Sequence, residues 1–395
     1  MNTPPARLMP PVYLDHNATT APQPEAVAEM LDVLRHAWAN PSSTHAAGQA
    51  AKRVLSDARL RVARLLGCLP AELVFTSGAT EANHSALRGA LAARRAEGRR
   101  RLVLSAVEHP GMLQLGQQLQ HEGVVVDLLP VDTQGRLDLI AAQRLMGPDV
   151  ALVACMAANN ETGVLMATAA LAELAQACGA WLQVDATQRA GRLPLDFARS
   201  GADLMSLSAH KIGGPKGVGA LLVRRGLSLA PLLPGRQERQ RRGGTENLPA
   251  IAGFAAACDH AAETLTSNAA RMASLRDRLE AGLATALTDV HIYGRAAARL
   301  PNTTCLRVGE LDAELVLSRL ERAGVLASSG AACSAGGTHP SHVLLAMGES
   351  PARAKAAVRL SLGADTTAAE IDFALAAAVR CLSPLQQGRV ETVTA

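Results

Sequence analysis

The feature that most restricts this chain is an alternation. Between residues 50 and 225, seven short apolar runs are separated by longer Ala-, Leu- and Arg-rich segments of helical period. The runs are Leu73–Thr76, Leu102–Ser105, Val124–Leu128, Ala151–Met156, Trp181–Val184, Leu204–Leu207 and Val218–Val223. Strands that alternate with helices need crossover connections, and crossovers produce a largely parallel sheet buried on both faces. One large α/β domain with a mostly parallel seven-stranded sheet is therefore expected. From Pro231 to Pro249 the pattern breaks into Pro, Gly and Arg, an excursion rather than a domain linker. A helical pattern follows from about Phe254 to Leu287, then short strands at Thr304–Val308 and Ala357–Leu362 among further helices. The expected organisation is a large domain over residues 16–260, with residues 1–15 and 261–395 forming a smaller α+β domain. The segment 327–337, ASSGAACSAGG, has little to pack and is expected to be a mobile loop.

Composition narrows the chemistry. Of 39 basic residues only four are lysines (Lys52, Lys211, Lys216 and Lys355), so a reaction that needs a primary amine has four candidates. The net charge of +4 is spread along the chain, and aromatic residues make up only 2%. Neither a basic stripe nor stacking platforms for nucleic acid are present, and Arg236–Arg242, interrupted by Glu238, does not supply them. No apolar run is long enough for a membrane span, and Met1–Pro11, with four prolines, does not read as a secretory signal. Seven dispersed cysteines without a CxxC pair argue against a disulfide framework or zinc ribbon and for a reducing, cytoplasmic setting.

In a wound parallel sheet, ligands bind beyond the carboxyl ends of the strands. After Leu73–Thr76 comes Ser77-Gly78-Ala79-Thr80-Glu81, either a phosphate seat at a helix N-terminus or an ordinary cap. After Leu102–Ser105 comes Glu108-His109-Pro110, a site histidine or a turn histidine. Asn159-Asn160-Glu161 comes after Ala151–Met156 and, since paired Asn residues favour turns, by itself reads more readily as a plain loop than as a site. Asp185, at the end of Trp181–Val184, is a carboxylate that burial makes costly unless it is paired, with a cationic ligand group or a structural ion pair. Ser208-Ala209-His210-Lys211 comes after Leu204–Leu207, with glycines beyond it that let a ligand approach the backbone. A lysine at a strand end is a usable nucleophile or base, whereas Lys216 fits a solvated loop. Taken together these are an amine for a Schiff base, a carboxylate for a ring nitrogen, and phosphate donors from two segments. That combination is what pyridoxal phosphate needs.

At this point the chain resembles the cysteine desulfurases, pyridoxal-phosphate enzymes of the class V aminotransferase, fold type I group, and is most similar to their nitrogen-fixation (NifS/IscS-like) branch. The resemblance rests on an ordered set of motifs between residues 13 and 363. They include Tyr13–Thr20, Asn40–His45, Phe75–Ala82, Glu108–Pro110, Ala158–Glu161, Asp185–Gln188, Ser206–Gly217, Gly244–Asn247, Ser328–Ser334 and Val358–Gly363. It implies that Lys211 carries the cofactor and moves the substrate α-proton. Asp185 would pair with the ring nitrogen, Gln188 with the ring hydroxyl, and His109 would stack on the ring. Ala79, Thr80, Ser208 and His210 would hold the phosphate, and Thr245 would reach the phosphate of the partner subunit of a homodimer. Asn160 and Arg359 would orient the substrate, L-cysteine.

The resemblance further implies that Cys333 is the sulfur acceptor. Its persulfide would be donated to an iron–sulfur scaffold or other acceptor protein, with nitrogenase one candidate beneficiary, and Cys333 would serve as a cluster ligand on a bound scaffold. The competing readings are a selenocysteine or cysteine-sulfinate lyase on the same fold, and a non-catalytic scaffold. The chain departs from the family in lacking the usual glycine run before Gln237-Glu238-Arg239, which puts the local backbone of that segment in question.

Overall fold

The computed structural model describes residues 11–329 and 339–391, with side chains described to Gln386. Its strands are β1 (Val12–Tyr13), β2 (Leu73–Thr76), β3 (Arg101–Ser105), β4 (Val125–Leu129), β5 (Val150–Met156), β6 (Trp181–Asp185), β7 (Leu204–Ser208), β8 (Gly219–Val223), β9 (Val290–Ile292), β10 (Thr303–Val308), β11 (Val325–Leu326), β12 (Ser328–Ser329) and β13 (Val358–Ser361). The helices around the main sheet are α1 (Pro24–His36), α2 (Ala46–Leu66), α3 (Ala79–Arg95), α4 (Pro110–His121), α5 (Leu139–Leu145), α6 (Thr168–Cys178), the single turn α7 (Gln237–Gln240) and α8 (Leu248–Ala286).

The seven apolar runs form one sheet in the order β2-β8-β7-β6-β5-β3-β4. Strands β3 to β7 are mutually parallel, and β8 alone runs against its neighbours β7 and β2. The cause is connection length: residues 209–218 join β7 to β8, too few for a helical crossover, so the chain reverses instead. Because β2 opposes β8, it points the same way as β7. The carboxyl ends of β2, β3, β5, β6 and β7 therefore lie along one edge of the sheet. Every residue of β5 is buried, as expected of a central strand covered on both faces.

One face of the sheet packs on α3 and α4 through Ala86, Leu87, Ala90, Met112 and Leu115. The other packs on α2 and the first half of α8, with Leu55, Val62, Ile251 and Phe254 in a continuous aliphatic core. The later half of α8 turns to a second core, where Met272, Leu275, Leu279 and Leu283 meet the β12-β13-β10-β9 sheet. Val343, Leu344 and Met347 pack with the first core rather than the second. Among the described residues no helix is long and apolar enough to cross a membrane.

Two local expectations need correction. Helix α8 begins at Leu248, not near Phe254: Asn247 caps it, and Pro249 occupies the first turn, where a missing N–H costs nothing. Ser328–Ser329, expected inside a loop, pair antiparallel with Val358–Arg359 as β12. The remainder of the expected loop, including Cys333, lies outside the described residues.

Candidate active site

The strand ends converge on a cleft of about 490 Å³ lined by Ala79, Thr80, His109, Asn160, Asp185, Gln188, Ser208, His210, Lys211 and Arg359. Ten of the residues singled out in the sequence thus meet in one place. Thr245 does not: it is exposed on the excursion, away from this cleft. Lys216 stands at the cleft margin with its side chain exposed.

Lys211 leaves β7 on a short 3-10 turn over Ala209–Lys211. Its Nζ donates to the carbonyls of Asn17 (2.5 Å) and Ala18 (2.7 Å). Those carbonyls come from the N-terminal segment, which is stitched to β13 through Ser361 N–H to Leu14 O and Asn17 N–H to Ser361 Oγ. The Asn17 side chain donates to Asn160 O and Thr303 Oγ1 and accepts from Asn302. Asn17 therefore joins the second sheet, the end of β5 and the lysine, a role the sequence reading did not assign to it.

Asp185 ends β6 with only 7% of its surface exposed. Its Oδ2 accepts from Asn83 Nδ2 (2.7 Å) and its Oδ1 from the Thr187 backbone N–H (2.9 Å). Asn83 is held in turn by Gln183 and Ser206, so the carboxylate rests on a buried polar network. This satisfies the requirement that a buried carboxylate be hydrogen-bonded without using a protein cation, leaving the charge available to a ligand. Asn83 was missed because, on helix α3, a polar residue on the sheet-facing side looks like an ordinary helix residue.

One end of the cleft is a cradle suited to an anion. Gly78 precedes α3 at φ 156°, ψ −179°, a conformation essentially limited to glycine, and an added Cβ would stand 3.5 Å from Ser208 Oγ. The N–H groups of Ala79 and Thr80 precede the first helical bond, Ala82 N–H to Gly78 O, and so face the cleft at the positive end of the helix. His210 touches Thr19 through Nδ1, and burial, with Lys211 beside it, lowers its pKa to about 4. It is a neutral ring at physiological pH.

His109 caps α4: its Nδ1 accepts from Gly111 N–H at 3.2 Å. The ring is thus neutral with its proton on Nε2, and burial holds its pKa below the usual histidine value. Beneath it Glu108 is fully buried and accepts from Met156 N–H, while burial and the nearby Asp185 raise its pKa to about 8. Glu161 is similarly raised to about 7 by burial and accepts from Ser341 Oγ. Ser341, bonded to Glu161, and His342, whose Nε2 donates to the Glu108 carbonyl (2.8 Å), tie the chain beyond the undescribed segment to the ends of β3 and β5. Arg359, 2% exposed, bonds to Asn160 O and pairs with Asp15 at 2.7 Å.

The excursion shows what replaces the missing glycine run. Glu238, Arg239 and Gln240 all adopt left-handed φ values (46°, 57° and 64°). Glu238 points inward, paired with both ends of the Arg59 guanidinium and accepting from Phe75 N–H of β2. Arg242 binds Glu81 in the first turn of α3, and Arg239 and Arg241 donate to the Pro70–Ala71 carbonyls. These arginines are used internally.

An amine, a hydrogen-bonded carboxylate, an imidazole face and a helix-N-terminal anion cradle within one cleft are a donor set that fits pyridoxal phosphate. Residues 12–373 match the model of the aminotransferase class-V family, and the chain belongs to that family of pyridoxal-phosphate enzymes. Within it the similarity lies with the cysteine desulfurases. The cysteine desulfurase of Cereibacter sphaeroides is 46% identical over 91% of this chain and 93% of its own length. A solved NifS-like protein superposes with a TM-score of 0.89 at 33% identity, over 94% of this chain and 99% of the other. A structure described as SspA in complex with cysteine superposes at 0.79 and 30% identity, covering 89% and 98%.

Proposed function

We propose that this protein is an L-cysteine desulfurase that yields L-alanine and a persulfide on Cys333, acting in a reducing, cytoplasmic setting. The observation that carries the reading is the joining of Lys211, Asp185, His109 and Arg359 in one cleft, in a chain whose relatives bear that name. Bound there, pyridoxal phosphate supplies an electron sink for the substrate α-carbon. Lys211 holds the cofactor and moves the α-proton. Asp185, already supported by Asn83, keeps the ring nitrogen protonated. Arg359 receives the substrate carboxylate as a planar fork, beside Asn160. His109, which lines the cleft, would stack on the cofactor ring, and its Nε2 proton would be available for transfer.

Cys333 attacks the substrate sulfur: an S–S bond forms, the Cβ–S bond breaks, and the carbon fragment takes up a proton to become alanine. Ser328 of β12 pairs with Arg359, Ser329 ends the strand, and Cys333 comes four residues later, so chain length keeps it within ~14 Å of that strand end. That reach supports the role. The homodimer is supported by Thr245, exposed on a segment that also exposes Leu232 and Leu233 and that Arg242 ties to the cofactor cradle through Glu81. Transfer of the sulfur to an iron–sulfur scaffold, with nitrogenase assembly as one destination, and Cys333 as a cluster ligand there, belong to the same proposal.

The test is Cys333→Ala. Sulfide release from cysteine with a thiol reductant falls to background, while absorbance of the bound cofactor stays. Undiminished release refutes the persulfide route and leaves a lyase acting on selenocysteine or cysteine sulfinate.

A further inference from the structure

Gln188 and Arg192 form a pair that the family motifs do not explain. Both are buried, at 6% and 5% exposure. One guanidinium nitrogen, Arg192 Nη1, donates at 2.8 Å both to the Gln188 backbone carbonyl and to Gln188 Oε1. The other, Nη2, donates to His16 O at 3.2 Å. Among the described residues Arg192 makes no ion pair; all three of its acceptors are neutral.

An amide side chain has two ends of nearly the same shape and opposite hydrogen-bonding sense. A guanidinium has only donors and keeps its charge, so it admits only the oxygen end. Gln188 Oε1 is thereby taken, and Nε2 is turned toward the cleft, where it meets the Asn17 carbonyl at 3.1 Å, the same carbonyl that accepts from Lys211. Whatever cofactor atom lies against Gln188 must then be an acceptor.

We propose that Arg192 is a positioning residue of the cofactor site: it locks the Gln188 amide with its N–H end toward the cofactor and adds a buried positive field that favours the ionised ring oxygen there. The inference rests on the reading of this cleft as the pyridoxal-phosphate site with Lys211 as the attachment point. A charge with only neutral partners is costly to bury, and an anionic oxygen one amide away offsets part of that cost. The other groups facing this corner are the bases His16, His109, His210, His260, Lys211, Lys216 and Arg359 and the acids Asp15, Glu81, Asp185 and Asp365. None of them bonds to the Gln188 side chain; its orientation is held at the oxygen end by Arg192 and at the nitrogen end by the Asn17 carbonyl.

The experiment is a pH titration of the visible absorbance of protein loaded with pyridoxal phosphate, for wild type, Arg192→Met, Arg192→Lys and Gln188→Leu. Losing the field and the fixed donor stabilises the protonated imine, so Arg192→Met moves the midpoint up by about one unit. Arg192→Lys, which keeps the charge but not the fork, lies between. Introduced into Gln188→Leu, Arg192→Met shifts the midpoint by less than in wild type, because part of its action passes through the amide. A midpoint unchanged in Arg192→Met, or an equal shift in both backgrounds, overturns the proposal. Should Arg192→Met not fold, an Arg192→Lys midpoint equal to wild type in both backgrounds overturns it as well. Lys211→Ala separates the premise: if the attached-cofactor band survives there, the cleft assignment fails irrespective of Arg192.

Discussion

Replacing Glu238 by alanine tests how the excursion over residues 231–247 is held. In the structure Glu238 is bonded to both ends of Arg59, the pair being almost wholly buried, with the glutamate side chain 1% and the arginine 10% exposed. Removing one partner of a buried ion pair costs about 3–5 kcal/mol, since the other charge stays buried without compensation. Against this stands the strain of three successive left-handed residues, Glu238 to Gln240, at about 1–2 kcal/mol each, or roughly 3–6 kcal/mol together. The two quantities are of the same size. Glu238→Ala therefore opens the excursion locally while the sheet stays folded. Native-state hydrogen exchange reads this at Gly243 N–H, bonded to Leu233 O, and at Gly244 N–H, bonded to Gln237 Oε1. Their protection falls by about 10²–10³, the equivalent of about 3–4 kcal/mol, while amides of β5 keep theirs. A loss below tenfold at Gly243 and Gly244 refutes the idea that the ion pair offsets the strain.

The same geometry sets three further outcomes. Lys211→Ala abolishes the visible band of covalently held cofactor, whereas Lys216→Ala, altering an exposed side chain at the cleft margin, leaves it; absorbance spectra of the purified proteins decide. Asn83→Ala removes a charge-assisted bond to Asp185 worth about 1.5–3 kcal/mol, so the dissociation constant for pyridoxal phosphate rises about 10- to 100-fold in equilibrium titration. Glu161, with its pKa raised to about 7, binds its proton more tightly when folded; the stability this contributes is complete below about pH 4.5 and is lost as pH rises through 7. Glu161→Gln should flatten the melting temperature across pH 5–8 relative to wild type, and an unaltered pH slope rejects the buried-acid account.

Much of the site was legible because a wound sheet places it by rule. Once seven apolar runs alternate with helices, function belongs at their carboxyl ends, and Lys211, Asp185, His109 and Thr80 each stand at or just beyond such an end. The residues that escaped are those whose partners lie far away along the chain. Asn17 gains its meaning from Lys211, 194 positions on, and Glu238 from Arg59, 179 positions back. Asn83 looked like a helix residue until Asp185 arrived 102 positions later.

The sequence by itself determined the layered α/β architecture and the edge of the sheet where Lys211 and the cleft lie, because hydrophobic period and strand–helix alternation are local properties. Tertiary structure decided the rest: the reversal of β8 and the inward turn of Glu238 in a left-handed backbone. It also decided the orientation of the Gln188 amide under Arg192 and the neutral state of His210. These depend on distances between groups remote in sequence and on the loss of water around them. Hydrogen-bond direction and protonation are set by whichever groups the fold brings together, and no run of neighbouring residues encodes that meeting.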